Sequence, residues 1–165
     1  MPKRPKAAVL IAGAIVLAAS SGFAVAQPPA PAAPAPQPDY HPSFGDLMTM
    51  AVQPRHINVG VAGKARNWTY LTYESSELRN AFGRIARTIP VYRNQKLADL
   101  FASGILPSMD DLDAAIKAKD GAKFDAAYAG VTQSCNTCHA ALEHAYVVIQ
   151  APQASSYTDQ VLNAR

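Results

Sequence analysis

Cysteine is almost absent from this chain: in 165 residues only Cys135 and Cys138 carry a thiol. A zinc site would need at least one further ligand pair at suitable spacing, and no other cysteine supplies it. Strand-like alternation of apolar and polar residues is missing as well, which points away from sheet-based folds. The apolar run over 7–19 stops short of the roughly 20 residues that a bilayer-spanning helix needs. Excess charge of one sign is also lacking. The chain has 15 Lys and Arg against 12 Asp and Glu, but Lys3, Arg4 and Lys6 stand at the extreme N-terminus, and without them the signs balance at 12 each. The basic pI therefore gives no argument for nucleic-acid binding. No general acid–base pair declares itself, so enzymatic activity is not expected.

What is present at the N-terminus is an export pattern. Three basic residues, an apolar stretch and the small-residue sequence Ala24-Val25-Ala26 predict a signal peptide over 1–26, cleaved after Ala26, with no membrane span afterwards. Residues 27–41 follow as a Pro/Ala-rich linker that cannot build a core. The folded domain is expected over 42–152, with a polar, loosely held tail over 153–165.

Helical periodicity organises the domain. A first helix is predicted from Ser43, as N-cap, to Gly63, as C-cap, with a kink or break just before Pro54. Gly60 and Gly63 predict close packing. A second helix is expected over 67–88, on the stripe Leu71, Ser75, Leu78, Phe82 and Ile85. The segment 89–107 is weakly patterned, with a turn or two of helix around 95–101. A third helix opens at Ser108 with an acidic first turn and runs to Lys119. Asp120 caps the last, which places Phe124, Tyr128, Val131, Cys135, Cys138, Leu142, Tyr146 and Ile149 on one face and ends at Pro152. Four amphipathic helices without strands predict an all-α, antiparallel four-helix bundle.

Inside the last helix lies Cys135-Asn136-Thr137-Cys138-His139, the Cys-x-x-Cys-His signature of covalent haem attachment. Two thiols three residues apart can each add to one vinyl group of a protoporphyrin, and the adjacent imidazole then becomes an axial ligand. Positions i, i+3 and i+4 share a helix face, so all three side chains can point at one flat cofactor. A short-range disulfide with a bystander histidine and a thioredoxin-like dithiol are the competing readings. The dithiol wants a βαβ setting with its first Cys at a helix N-terminus, and neither is indicated here. An exported chain also suits haem attachment, which bacteria complete outside the cytoplasm. The expected cofactor is one haem c, bound through Cys135 and Cys138 with His139 as the proximal ligand, in the periplasm.

Four helices with Cys135, Cys138 and His139 near the end of the fourth resemble the class II c-type cytochromes, cytochrome c′ and its low-spin relatives. The resemblance covers about Pro42 to Pro152. Arg55-His56, Asn67-Trp68 and Tyr73-Glu74 also look like a bacterial subgroup of such proteins. The family implies a homodimer in many members and a distal residue supplied by the first helix. Members place it about four turns before that helix ends; counting back from Gly63 lands on Met48, with Met50 and His56 as fallbacks. His56 lies two turns beyond Met48, rotated by about 80° at ideal helix geometry, so both can meet one iron only if the helix bends. Arg55 is a candidate partner for a haem propionate. His41 and His144 receive no ligand role. A Met48–His139 pair implies one-electron transfer to a redox partner protein; an apolar, five-coordinate site would instead imply binding of NO or CO.

Overall fold

The first helix begins with two reciprocal hydrogen bonds. Ser43 Oγ accepts the Asp46 N–H at 3.1 Å and Asp46 Oδ2 accepts the Ser43 N–H at 2.9 Å, satisfying two donors that a helix start leaves without partners. In this computed structural model the described residues are 39–155, 159, 160 and 162. The chain divides into a unit Met1–Asp39 and a unit Tyr40–Arg165, and only the second is described beyond Asp39. The expected signal peptide and most of the linker lie outside the described residues.

From Ser43 the chain forms helix α1 (Phe44–Leu47), a π-helical turn (Met48–Val52) and helix α2 (Gln53–Lys64). The interruption expected at Pro54 is that π turn. In an α-helix Pro54 would have no N–H for the Met50 carbonyl and its ring would collide with it; a wider turn, in which the Gln53 N–H reaches back to the Met48 carbonyl, relieves both. Gly63 is not the C-cap. The helix continues to Lys64, and Arg66 takes the left-handed conformation with φ 55°. Gly63 is instead a contact point, since a Cβ there would overlap the Phe124 ring.

Helix α3 (Trp68–Thr88) is capped by Asn67, whose side chain accepts the Tyr70 N–H. Its whole predicted stripe, Leu71 to Ile85, is buried. Where weak patterning left 89–107 as a connection, the chain forms an antiparallel ladder of β1 (Val91–Tyr92) and β2 (Gln95–Lys96). Its turn residues Arg93 and Asn94 both have positive φ, as the favoured two-residue hairpin turn requires. Helix α4 (Leu97–Gly104) then runs through Ile105 into α5 (Leu106–Ala118), with Pro107 in the first turn. Ser108 is therefore inside the helix rather than its cap, and its hydroxyl bonds that of Ser134 at 2.6 Å. Asp120 caps α6 (Gly121–Ala141) by accepting the Lys123 N–H.

The described domain is all-α apart from this one short ladder. Helix α2 packs on α3, α3 on α5, α5 on α6, and α6 returns to α2; α4 lies against α3, α5 and α6. Leu71, Leu78, Val59, Leu112, Phe124 and Val131 fill the space between them. Among the described residues no helix is long and apolar enough to cross a membrane.

Candidate functional site

Helix α6 is regular through the motif, so the i, i+3, i+4 spacing brings Cys135, Cys138 and His139 to one side. All three line a cavity of about 420 Å³, within the usual range of cofactor pockets. Both thiols are free and partly buried. Burial, helped by the neighbouring Cys138, pushes the Cys135 thiol up to about 12, and burial raises Cys138 as well. A nucleophilic dithiol needs the opposite shift and a helix N-terminus, whereas this pair sits deep in α6.

The helix does not run on to Pro152. It ends at Ala141, the Leu142 N–H returns to the Cys138 carbonyl, and Glu143 turns left-handed at φ 60°. The His144 N–H then bonds the His139 carbonyl at 2.6 Å, and the chain doubles back as an extended strap. Residues 147–154 all line the cavity, so this strap forms one of its walls. Tyr146, expected on the buried face, is 79% exposed. Three consecutive β-branched residues, Val147-Val148-Ile149, were the available signal against helix here. The strap also reaches the candidate ligand: the His139 Nδ1–H donates to the Val147 carbonyl at 2.7 Å. Because a carbonyl can only accept, Nδ1 carries a proton in this pair, and in the neutral imidazole the lone pair is then on Nε2.

Further along, the tail is held at several points. Lys64 Nζ donates to the Pro152 carbonyl at 2.7 Å and Pro152 seats against Gly60 just before the tail; within it, Tyr70 Oη donates to Gln160 Oε1 at 2.8 Å and Leu162 is buried. A loosely held tail was expected. The described tail residues are instead tied across α2 and α3.

Another wall comes from the first helical stretch. Phe44, Met48, Val52 and His56 all face the cavity. Spaced by four, they would drift about 40° per step around an ideal α-helix, and the π turn, which winds less per residue, brings them back into line. Met48 and His56 therefore share one wall despite the predicted rotation between them. Met50 does not join them; it is 67% exposed and lies outside the cavity lining.

His56 is only 4% exposed, and both ring nitrogens have partners. Nε2 lies 3.0 Å from Thr132 Oγ1, whose own hydrogen goes to the Tyr128 carbonyl, so Nε2–H is the donor of that pair. Nδ1 lies 3.2 Å from Tyr128 Oη, whose single hydrogen it shares with the His56 carbonyl at 2.9 Å. Burial drops its pKa to about 4, leaving a neutral imidazole satisfied within the protein. Arg55 is absent from the cavity. Its Nη1 donates at 2.9 Å to Glu74, which is 1% exposed and also accepts from Asn58. His144 bonds Tyr92 and Tyr146, and Tyr92 stacks on Phe44 at the cavity edge. His41 is exposed.

Two thiols on one helix face, an adjacent imidazole whose Nδ1 is held by the Val147 carbonyl, and a cavity lined largely by apolar side chains could together hold a covalently attached haem. Compared with known proteins, the chain matches no family model, and no curated protein or solved structure shows significant similarity to it.

Proposed function

We propose that this protein is an exported c-type cytochrome of class II type that carries one haem c and transfers single electrons in the periplasm. The observation that supports it most is the convergence of Cys135, Cys138 and His139 from α6 on the same cavity that Met48 lines from the first helical stretch. In this reading α1, the π turn and α2 act as one long helix, which with α3, α5 and α6 makes a four-helix bundle around the cofactor slot.

When bound, the haem supplies the one-electron redox centre. The chain's own residues do the rest. Cys135 and Cys138 would hold the haem covalently, and His139 would present Nε2 while the Val147 carbonyl holds its other nitrogen. Met48 would offer a thioether from the first-helix wall of the cavity. Val52, Phe82 and Ile105 keep water out, which favours the less charged state of the site. His56 faces the cavity but is committed to Thr132 and Tyr128, so Met48 is the better distal candidate. The partner is a redox protein rather than nucleic acid, and a homodimer accords with the family resemblance.

The same apolar lining supports a second reading, in which the iron stays five-coordinate and takes NO or CO. The two separate in one experiment: absorption spectra of the exported, matured full chain, oxidised and reduced, with and without CO. A low-spin spectrum insensitive to CO is expected. A high-spin spectrum that shifts on CO would replace electron transfer by gas binding, and a chain without haem mass would end both.

A further inference from the structure

Asn136 stands between the two cysteines of the motif, at a position that attachment chemistry leaves open. Its carboxamide directs both of its bonds to one residue. Nδ2 donates to the Ile149 carbonyl at 3.0 Å, and Oδ1 accepts the Ile149 N–H at 2.7 Å. A side-chain amide used this way offers the donor and acceptor that a neighbouring β-strand would offer, so an extended residue is gripped as in a ladder.

The strap depends on such a grip. It has no secondary structure of its own, and Val148 is 73% exposed, so apolar burial holds it only weakly. The next anchors, the Lys64–Pro152 bond and the Pro152–Gly60 contact, lie further toward the C-terminus. On the N-terminal side the Val147 N–H donates to the His144 carbonyl at 2.8 Å. Val147, whose carbonyl accepts the His139 Nδ1–H, therefore sits between that turn and the Asn136 clamp.

We infer that Asn136 is a positioning residue for the axial imidazole: by clamping Ile149 it holds the Val147 carbonyl on His139 Nδ1, and so sets the tautomer, ring plane and donor strength of His139. The inference rests on the haem reading above. An imidazole that donates its far N–H to a carbonyl is a stronger ligand through the near nitrogen, which favours the oxidised iron. Loosening the clamp raises the reduction potential.

The test compares the matured full chain with Asn136→Ala, Asn136→Asp and Thr137→Ala. Three quantities are read: haem per chain by mass, midpoint potential by spectroelectrochemical titration, and hydrogen exchange of the Ile149 amide. Asn136→Ala is expected to keep its haem, to move to higher potential, and to exchange the Ile149 amide at least about tenfold faster. Asn136→Asp keeps the acceptor and loses the donor, so it should fall between, and it carries the test if the alanine variant does not fold. Thr137→Ala removes only a hydroxyl bonded within the helix, to the Gln133 carbonyl, and should match wild type. An Asn136→Ala protein with normal haem and unchanged potential would overturn the positioning role. A wild-type chain lacking haem mass would overturn the cofactor reading and, with it, the iron part of this inference, leaving the exchange data to judge the clamp.

Discussion

Two walls of the cavity are built by different routes. On the α6 side Cys135, Cys138 and His139 are set by the pitch of an uninterrupted helix. On the first-helix side, Phe44, Met48, Val52 and His56 all face the cavity because a π turn resets the phase before Pro54. A regular helix delivers a constellation written in its spacing. An irregular one delivers side chains that spacing alone assigns to different faces.

Four measurements would sharpen or break that contrast. The largest effect belongs to the α6 wall: replacing both Cys135 and Cys138 by Ala is expected to abolish covalent haem, read as loss of the haem mass from the denatured chain. On the first-helix wall Met48→Ala is expected to convert a low-spin, CO-insensitive spectrum to a high-spin, CO-binding one, whereas Met50→Ala changes nothing. If the exposed Met50 gave the larger change, the phase argument for the π turn would be wrong.

Behind that wall, Arg55→Ala leaves the buried Glu74 carboxylate without its cation and is expected to cost about 3 kcal/mol, measured by urea unfolding. His56 adds a pH dependence of the same wall. Its folded pKa of about 4 lies below the usual 6.5, so between those values the unfolded chain binds a proton that the folded one refuses. Stability is complete above pH 6.5 and falls by roughly 2 to 3 kcal/mol as the pH drops toward 4. His56→Gln should flatten that slope, and an unchanged slope would assign it elsewhere.

Legibility followed regularity. The α3 stripe and the caps Ser43 and Asp120 could be read because each rests on residues within one or two turns of each other. The hairpin at 91–96 escaped because Arg93-Asn94 lacks the glycine that usually marks such a turn. Ser108 resembled a cap, but α4 feeds through Ile105 almost directly into α5, so the helix starts earlier and tolerates Pro107 in its first turn. The end of α6 was set too late because the apolar pattern at Tyr146 and Ile149 continues past the left-handed Glu143. That pattern belongs to the strap.

By itself the sequence determined the helical class, the register of α3, and the grouping of two thiols and an imidazole on one face of α6. These depend on local periodicity and short-range hydrogen bonds, which neighbouring residues carry with them. Only the tertiary structure decided that Met48 and His56 share a wall, that Arg55 is spent on Glu74, and that a strap thirteen residues downstream grips Asn136 and holds His139. Those outcomes depend on a shift in helical phase, on the desolvation of a distant carboxylate, and on chain reversal. Arg55 and Glu74 are distant in the sequence, and the other two turn on a helix that is rewound or ended between residues whose spacing alone does not show it.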